Sequence, residues 1–128
     1  MPKGIKDFVA EAKAAMKTIT PEQADAAARS GTGVLLDVRE PGELTKDGKL
    51  APDHIHIPRG LLEAKADPES GVADANLTAV QGKLPVMVVC ASGARAAMAA
   101  ARLKEMGYDA QLVDGGLVGW KKAGLPTT

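Results

Sequence analysis

Cys90, the only cysteine in the chain, stands in the run Val86-Met87-Val88-Val89-Cys90-Ala91-Ser92-Gly93-Ala94-Arg95. The β-branched apolar stretch reads as a buried parallel strand, and the alanine-rich segment beyond Arg95 reads as a helix. A thiol between them sits at a strand's C-terminal end and faces a helix N-terminus. Unpaired backbone N–H groups and the helix dipole favour negative charge there. A cysteine so placed is expected to hold its thiolate form more readily than a free thiol, and the thiolate is the nucleophile. The opposing reading is an inert small hydrophobe, since free cysteine is among the most buried residue types. The loop decides between them. Ala91, Ser92, Gly93 and Ala94 are all small, so the backbone can curl its N–H groups toward one point. Gly93 permits a positive φ and Ser92 adds a hydroxyl. Arg95 places a fixed cation where a helix N-terminus disfavours one, and a residue that breaks a local rule there is expected to serve the site.

The elements that must position this loop follow from periodicity and punctuation. Ile5, Phe8, Val9, Ala12, Ala15 and Met16 recur at helical spacing, which predicts an amphipathic helix within residues 1–18. Thr20-Pro21-Glu22-Gln23 is a helix start with an N-cap, a first-turn proline and a capping box, and that helix ends at Ser30-Gly31. Strands are predicted at Val34–Val38, at Ile55 and Ile57 before Pro58, at Val86–Val89 and at Ala110–Val113. Helices are predicted at Ala96–Met106 and Leu117–Ala123, whereas residues 64–82 read mostly as loop with one turn near Asn76–Gln81. Alternating strands and helices give an α/β fold with a mainly parallel central sheet. Residues 19–126 are read as the core of a single domain spanning 1–128. Ligands of such sheets bind beyond the strands' carboxyl ends, where Asp37 and Cys90 both lie.

Composition removes several function classes. Sixteen basic residues balance sixteen acidic ones, and the aromatics are Phe8, Tyr108 and Trp120 alone. Neither a basic footprint nor a stacking platform for nucleic acid is present. No apolar run approaches the roughly 20 residues of a membrane span, and no leader pattern is visible, so neither a membrane nor secretion is expected. A lone reactive thiol fits a reducing cytoplasm, where disulfides are rare.

Four segments together resemble the rhodanese-like domains. Cys90-Ala91-Ser92-Gly93-Ala94-Arg95 is similar to their active-site loop, and Asp37-Val38-Arg39-Glu40-Pro41-Gly42-Glu43 to their D-V-R-E-x-x-E segment. His56-Ile57-Pro58-Arg59-Gly60 resembles the H-[IV]-P-R-G stretch of some members, and Asp114-Gly115-Gly116 with Trp120 resembles their closing motif. The order and spacing hold from about Thr20 to Pro126. The resemblance implies a rhodanese-like sheet of about five strands with helices on both faces. It also implies a sulfurtransferase without metal or organic cofactor. Cys90 would take a sulfane sulfur from an anionic donor such as thiosulfate and pass it, as a persulfide, to cyanide or a thiol. A protein persulfide or a thioredoxin-like protein is a possible partner. Ala91, Ser92, Gly93, Ala94 and Arg95 are expected to bind substrate, with Arg59 at the rim. A single arginine among small neutral residues favours a low-molecular-weight or protein persulfide over a strongly anionic donor.

Two other readings share the loop. A partner-dependent sulfur carrier or sensor would keep the same residues without efficient turnover. Cysteine phosphatases and arsenate reductases use a related cradle, but phosphatases place one residue more between nucleophile and arginine. Here four residues separate Cys90 from Arg95, which makes a sulfur-sized bowl. Asp37 and Arg39 are expected to be structural, with Arg39 paired to Glu40 or Glu43. Trp120 is expected to pack the last helix and partly wall the site. Met87, Met98 and Met106 read as core filling. His54 and His56 share a strand face, but two imidazoles without further ligands make a poor metal site. His54 is assigned to the surface, and relatives often carry Gly-Ala where this chain has Asp53-His54.

Overall fold

The computed structural model describes residues 2–128. At its centre lies one parallel sheet of β1 (Lys17–Ile19), β2 (Val34–Asp37), β3 (His54–His56), β4 (Val86–Val89) and β5 (Ala110–Val113), in the order β1-β5-β4-β2-β3. All four strand pairs are parallel. From β2 the chain builds outward to β3 on one side, and from β4 to β5 on the other. The strand order therefore switches between β2 and β4, and the ends of these strands form the crevice where α/β sheets bind ligands. Asp37 pairs in register with Val89, which puts Cys90 one residue past the ladder at that crevice.

Among the described residues, seven α-helices cover the sheet: α1 (Ile5–Ala15), α2 (Pro21–Ser30), α3 (Pro41–Asp47), α4 (Leu62–Ala66), α5 (Ala75–Thr78), α6 (Ala94–Glu105) and α7 (Gly116–Lys122). One core cluster joins α1, α4, α5 and α6 to Leu36, Val38, Val86, Val88 and Leu112. A second joins α2 and α7 to Leu35, Met87, Val89 and Val113 on the opposite face. β4 is buried along its whole length, which explains its unbroken apolar sequence. The Thr20–Gln23 capping box forms in both directions, at 2.9 and 3.1 Å, and Gly31 closes α2 at φ 76.

Several elements depart from the sequence reading. Residues 17–19 form a strand at the sheet edge instead of continuing from the first helix, with only Ile19 buried. Three residues of which two are exposed carry no detectable period. The segment after β2 folds into α3, which Pro41 opens and the Glu43 carboxylate caps by accepting from Glu40 N at 2.7 Å. The stretch expected as mostly loop opens with the short helix α4, whereas the turn expected near Asn76–Gln81 forms as α5. Trp120 is fully buried and its indole N–H donates to Pro126 O at 3.0 Å. It packs α7 onto the sheet but, having no exposed surface, it lines no open site.

Helix α7 also grips the cysteine loop from behind. Leu117 N–H donates to Cys90 O at 2.7 Å, and Val118 N–H to Ala91 O at 3.1 Å. This approach requires Gly116, whose φ is 56 and on which a Cβ would overlap the Cys90 carbonyl oxygen and stand 3.0 Å from Ala91 O. Gly116→Ala is therefore expected to lose roughly 2 kcal/mol or more of stability, read as a lower urea midpoint with an unchanged slope. A midpoint equal to that of the parent would show that the loop and α7 do not lean on each other.

Candidate active site

Cys90 is 1% exposed, and its Sγ accepts two backbone hydrogen bonds. Gly93 N–H donates at 3.1 Å and Ala96 N–H at 3.3 Å. The local sequence explains how these groups come free. Gly93 is the N-cap of α6, at φ 111, and offers no side chain to cap the first turn. Serine or aspartate there would compete for the Ala96 N–H that now faces the sulfur. The helix then approaches β4 closely because Ala96, Ala97, Ala99 and Ala100 are all fully buried and small. Ala96 lies outside the span expected to contact the sulfur. Its contribution follows from the i+3 position in the first turn, once the helix is seen to begin at Ala94.

Arg95 does not point into the bowl unpartnered. Its guanidinium makes a bidentate pair with Glu43, at 2.8 Å from Nη1 and 2.6 Å from Nη2. This pair ties α6 to α3 across the mouth of the crevice. The hydrogen bond from Arg95 holds the Glu43 carboxyl well below the usual range, from 4.5 down to about 2, against an opposing effect of burial. Glu43 in turn raises the Arg95 pKa further, and Cys90 adds to that rise through charge. The sequence alone pairs Arg39 with Glu40 or Glu43. Fifty-two positions separate Glu43 from Arg95, and no local pattern reports such a contact.

Arg39 instead pairs with Asp37, two residues away and equally buried. Nη2 lies 2.8 Å from Oδ2, Nε lies 3.1 Å from both carboxylate oxygens, and Arg39 N–H donates to Oδ1 at 3.0 Å. The side chain turns inward because Nη2 also donates to Gly48 O, at 2.9 Å, closing the loop after α3. His56 Nε2 donates to Arg39 O at 2.7 Å, and His54 Nδ1 lies 3.1 Å from Pro52 O, so both imidazoles are engaged by backbone carbonyls. His54 is half-buried and lines an open groove beside Asp53 and Ile55.

Arg59, expected at the rim, is turned elsewhere. Its Nη1 binds Glu63 at 2.8 Å, one helical turn on, which depresses the Glu63 pKa. The side chain lines a groove of about 330 Å³ with Phe8, Met98 and Arg102, away from the 90–95 loop. Met87 is buried, and Met98 and Met106 are half-buried. Ser92 is exposed and its hydroxyl has no protein partner among the described residues, so it remains open to a ligand.

The arrangement provides a thiol at the floor of a short backbone bowl, with two N–H donors on its sulfur and an ion pair at its edge. Comparisons with known proteins bear on the fold and the family. The rhodanese-like domain profile matches residues 20–123. A sulfurtransferase of Allochromatium vinosum is 29% identical over 94 residues, which are 73% of this chain and 76% of that protein. The solution structure of the polysulfide-sulfur transferase homodimer of Wolinella succinogenes shares 32% identity at a TM-score of 0.74, over 96% of this chain and 85% of that one. A Rhodopseudomonas palustris protein of unknown function, described as a possible tyrosine phosphatase, shares 33% identity at a TM-score of 0.89, over 100% and 96% respectively. The match with the Rhodopseudomonas structure takes in α1 and β1, which lie outside the family profile.

Two stability predictions follow from the charges around the bowl. Because the Glu43 pKa is depressed on folding, its contribution is full above the ordinary carboxylate value and is lost as pH falls through the folded one. Urea unfolding between pH 5 and pH 2 should therefore fall less steeply for Glu43→Gln than for the parent, and parallel curves would contradict the clamp. Asp37→Asn strands a buried guanidinium and is expected to cost about 3–5 kcal/mol. A loss below about 1 kcal/mol in the same assay would mean Arg39 finds another partner.

Proposed function

The chain belongs to the rhodanese-like domain family, and from that premise we propose that it is a sulfurtransferase acting through a persulfide on Cys90. The observation that carries this reading is the pair of N–H groups on Cys90 Sγ, from Gly93 and Ala96. They solvate a thiolate with fixed dipoles while the sulfur is shielded from water. The Allochromatium and Wolinella relatives, named for sulfur transfer, support the same class.

With thiosulfate as donor, the Cys90 thiolate attacks the outer sulfur. The Sγ–S bond forms as the donor S–S bond breaks, and sulfite leaves with the electron pair. The first N–H groups of a helix have no intrahelical carbonyl, so those of Ala94 and Arg95 remain for the outer sulfur. Cyanide or a thiolate then attacks that sulfur and releases the Cys90 thiolate. Charge balances in both steps, and no oxidant is consumed. In this scheme Arg95 braces the loop through Glu43 and contributes its field to the donor. It does not clamp the donor as a free fork would. The cytoplasm, where a thiol stays reduced, is the proposed setting.

Loop length and the engaged arginine both favour sulfur over phosphate. A phosphoryl group needs a wider bowl and an arginine free to embrace its oxygens.

The test is mass spectrometry after incubation with thiosulfate, followed by cyanide and a thiocyanate assay. The parent should gain the mass of one sulfur atom and release it, and Cys90→Ser should gain none. Arg95→Ala should load roughly tenfold more slowly while keeping its fold. A gain discharged only to a partner protein's thiol would replace the enzyme with a carrier. No gain from thiosulfate or any persulfide, with hydrolysis of an aryl phosphate, would sink the sulfur reading.

A further inference from the structure

A small cavity of about 250 Å³ lies beside the cysteine loop, lined by Lys13, Thr18, Ser92, Gly93, Leu112 and Asp114. Gly93 belongs to both features: its N–H holds Cys90 Sγ, and it forms part of the cavity wall. The cavity is thus linked to the proposed nucleophile through Gly93, while Cys90 itself lies buried behind the lining residues. Lys13 comes from the last turn of α1 and Thr18 from β1, both before the residues matched by the family profile.

The charges are the informative part. Lys13 and Asp114 bring opposite signs to one cavity, yet among the described residues neither makes a salt bridge, with the other or with anything else. Thr18 and Ser92 add two exposed hydroxyls without protein hydrogen-bond partners among the described residues. Leu112, buried in the same core cluster as Cys90, supplies an apolar floor. An unpaired cation and anion that line one cavity with a leucine side chain match a ligand that carries both charges on a short carbon frame. Sites for drug-sized ligands run to about 300–1,000 Å³, so this one suits a molecule the size of an amino acid. Thiosulfate, with two negative charges and no positive one, would meet Asp114 unfavourably.

We propose that this cavity holds the amino-acid end of a small zwitterionic persulfide, of which cysteine persulfide is the simplest, with Lys13 on its carboxylate and Asp114 on its ammonium group. The proposal rests on the sulfurtransferase reading and names the donor class for it. The Cys90 thiolate attacks the outer sulfur of R–S–SH, the Sγ–S bond forms and the donor S–S bond breaks. The thiolate RS⁻ leaves with the electron pair, and the outer sulfur keeps its proton.

Four donors separate the contributions: the persulfides of cysteine, cysteamine, 3-mercaptopropionate and 2-mercaptoethanol, which carry both charges, ammonium only, carboxylate only and neither. Loading of Cys90 is followed by rapid-quench mass spectrometry on the full chain, for the parent, Lys13→Gln and Asp114→Asn. Lys13→Gln should raise KM about tenfold for the two carboxylate-bearing donors relative to the other two, with kcat little altered. Asp114→Asn should do the same for the two ammonium-bearing donors. Effects of equal size across all four donors, or none, would overturn the cavity assignment while leaving sulfur transfer intact. A parent that loads from none of the four, nor from thiosulfate, would overturn the sulfurtransferase reading itself.

Discussion

Two backbone N–H groups converge on one sulfur atom, and the surrounding elements are arranged to keep them there. Gly93 leaves the first turn of α6 uncapped, so its donors are available. The buried alanines of α6 bring the helix axis close enough to β4 for those donors to reach Cys90. From the other side α7 binds the Cys90 and Ala91 carbonyls, and the absence of a side chain at Gly116 allows it. The loop is held between two helix starts, one on its thiol and one on its carbonyls. A wholly buried strand behind it removes the remaining freedom.

Apart from Lys13 and Asp114 at its flank, charge near the bowl is neutralised in pairs. Asp37 and Arg39 cancel at the end of β2, and Glu43 and Arg95 cancel at the mouth. Net side-chain charge does not fill the crevice, so the positive character felt by the sulfur comes mainly from backbone dipoles. Such dipoles suit an anion that carries one diffuse charge, as a thiolate or a persulfide does. A phosphoryl group concentrates more charge on hard oxygens and calls for a free guanidinium. The same neutralisation explains how the chain can have no net charge and still favour an anion at one point.

What could be read from the sequence was whatever depends on neighbours along the chain. The apolar run of β4, the small residues of the loop and the alanines of α6 are local patterns, and each led to the element that forms. So did Thr20 and Gln23, which satisfy each other within a single turn. Contacts set by folding left no such trace. Arg95 meets Glu43 from a distant helix, whereas Arg39 with Asp37 and Arg59 with Glu63 are near neighbours along the chain whose choice of acid the local pattern leaves open. Long arginine side chains reach several acids of comparable attraction, and burial and backbone acceptors such as Gly48 O select among them. The edge strand β1 escaped for a different reason, since three residues cannot establish a period.

The division between family core and N-terminal extension has a physical basis in the size of the loop. Four residues between Cys90 and Arg95 are enough to surround a sulfur atom, but Ala91, Ser92, Gly93 and Ala94 are too short to reach the remainder of a donor. Discrimination among donors therefore has to come from elements bordering the bowl. α1 packs along α6 with Ala12 buried and leaves Lys13 exposed at the loop's flank. None of the hydrogen bonds to Cys90 come from α1. Under the proposed donor assignment, bond making stays with the backbone cradle around Cys90, whereas donor choice falls to a peripheral helix joined to it mainly by packing.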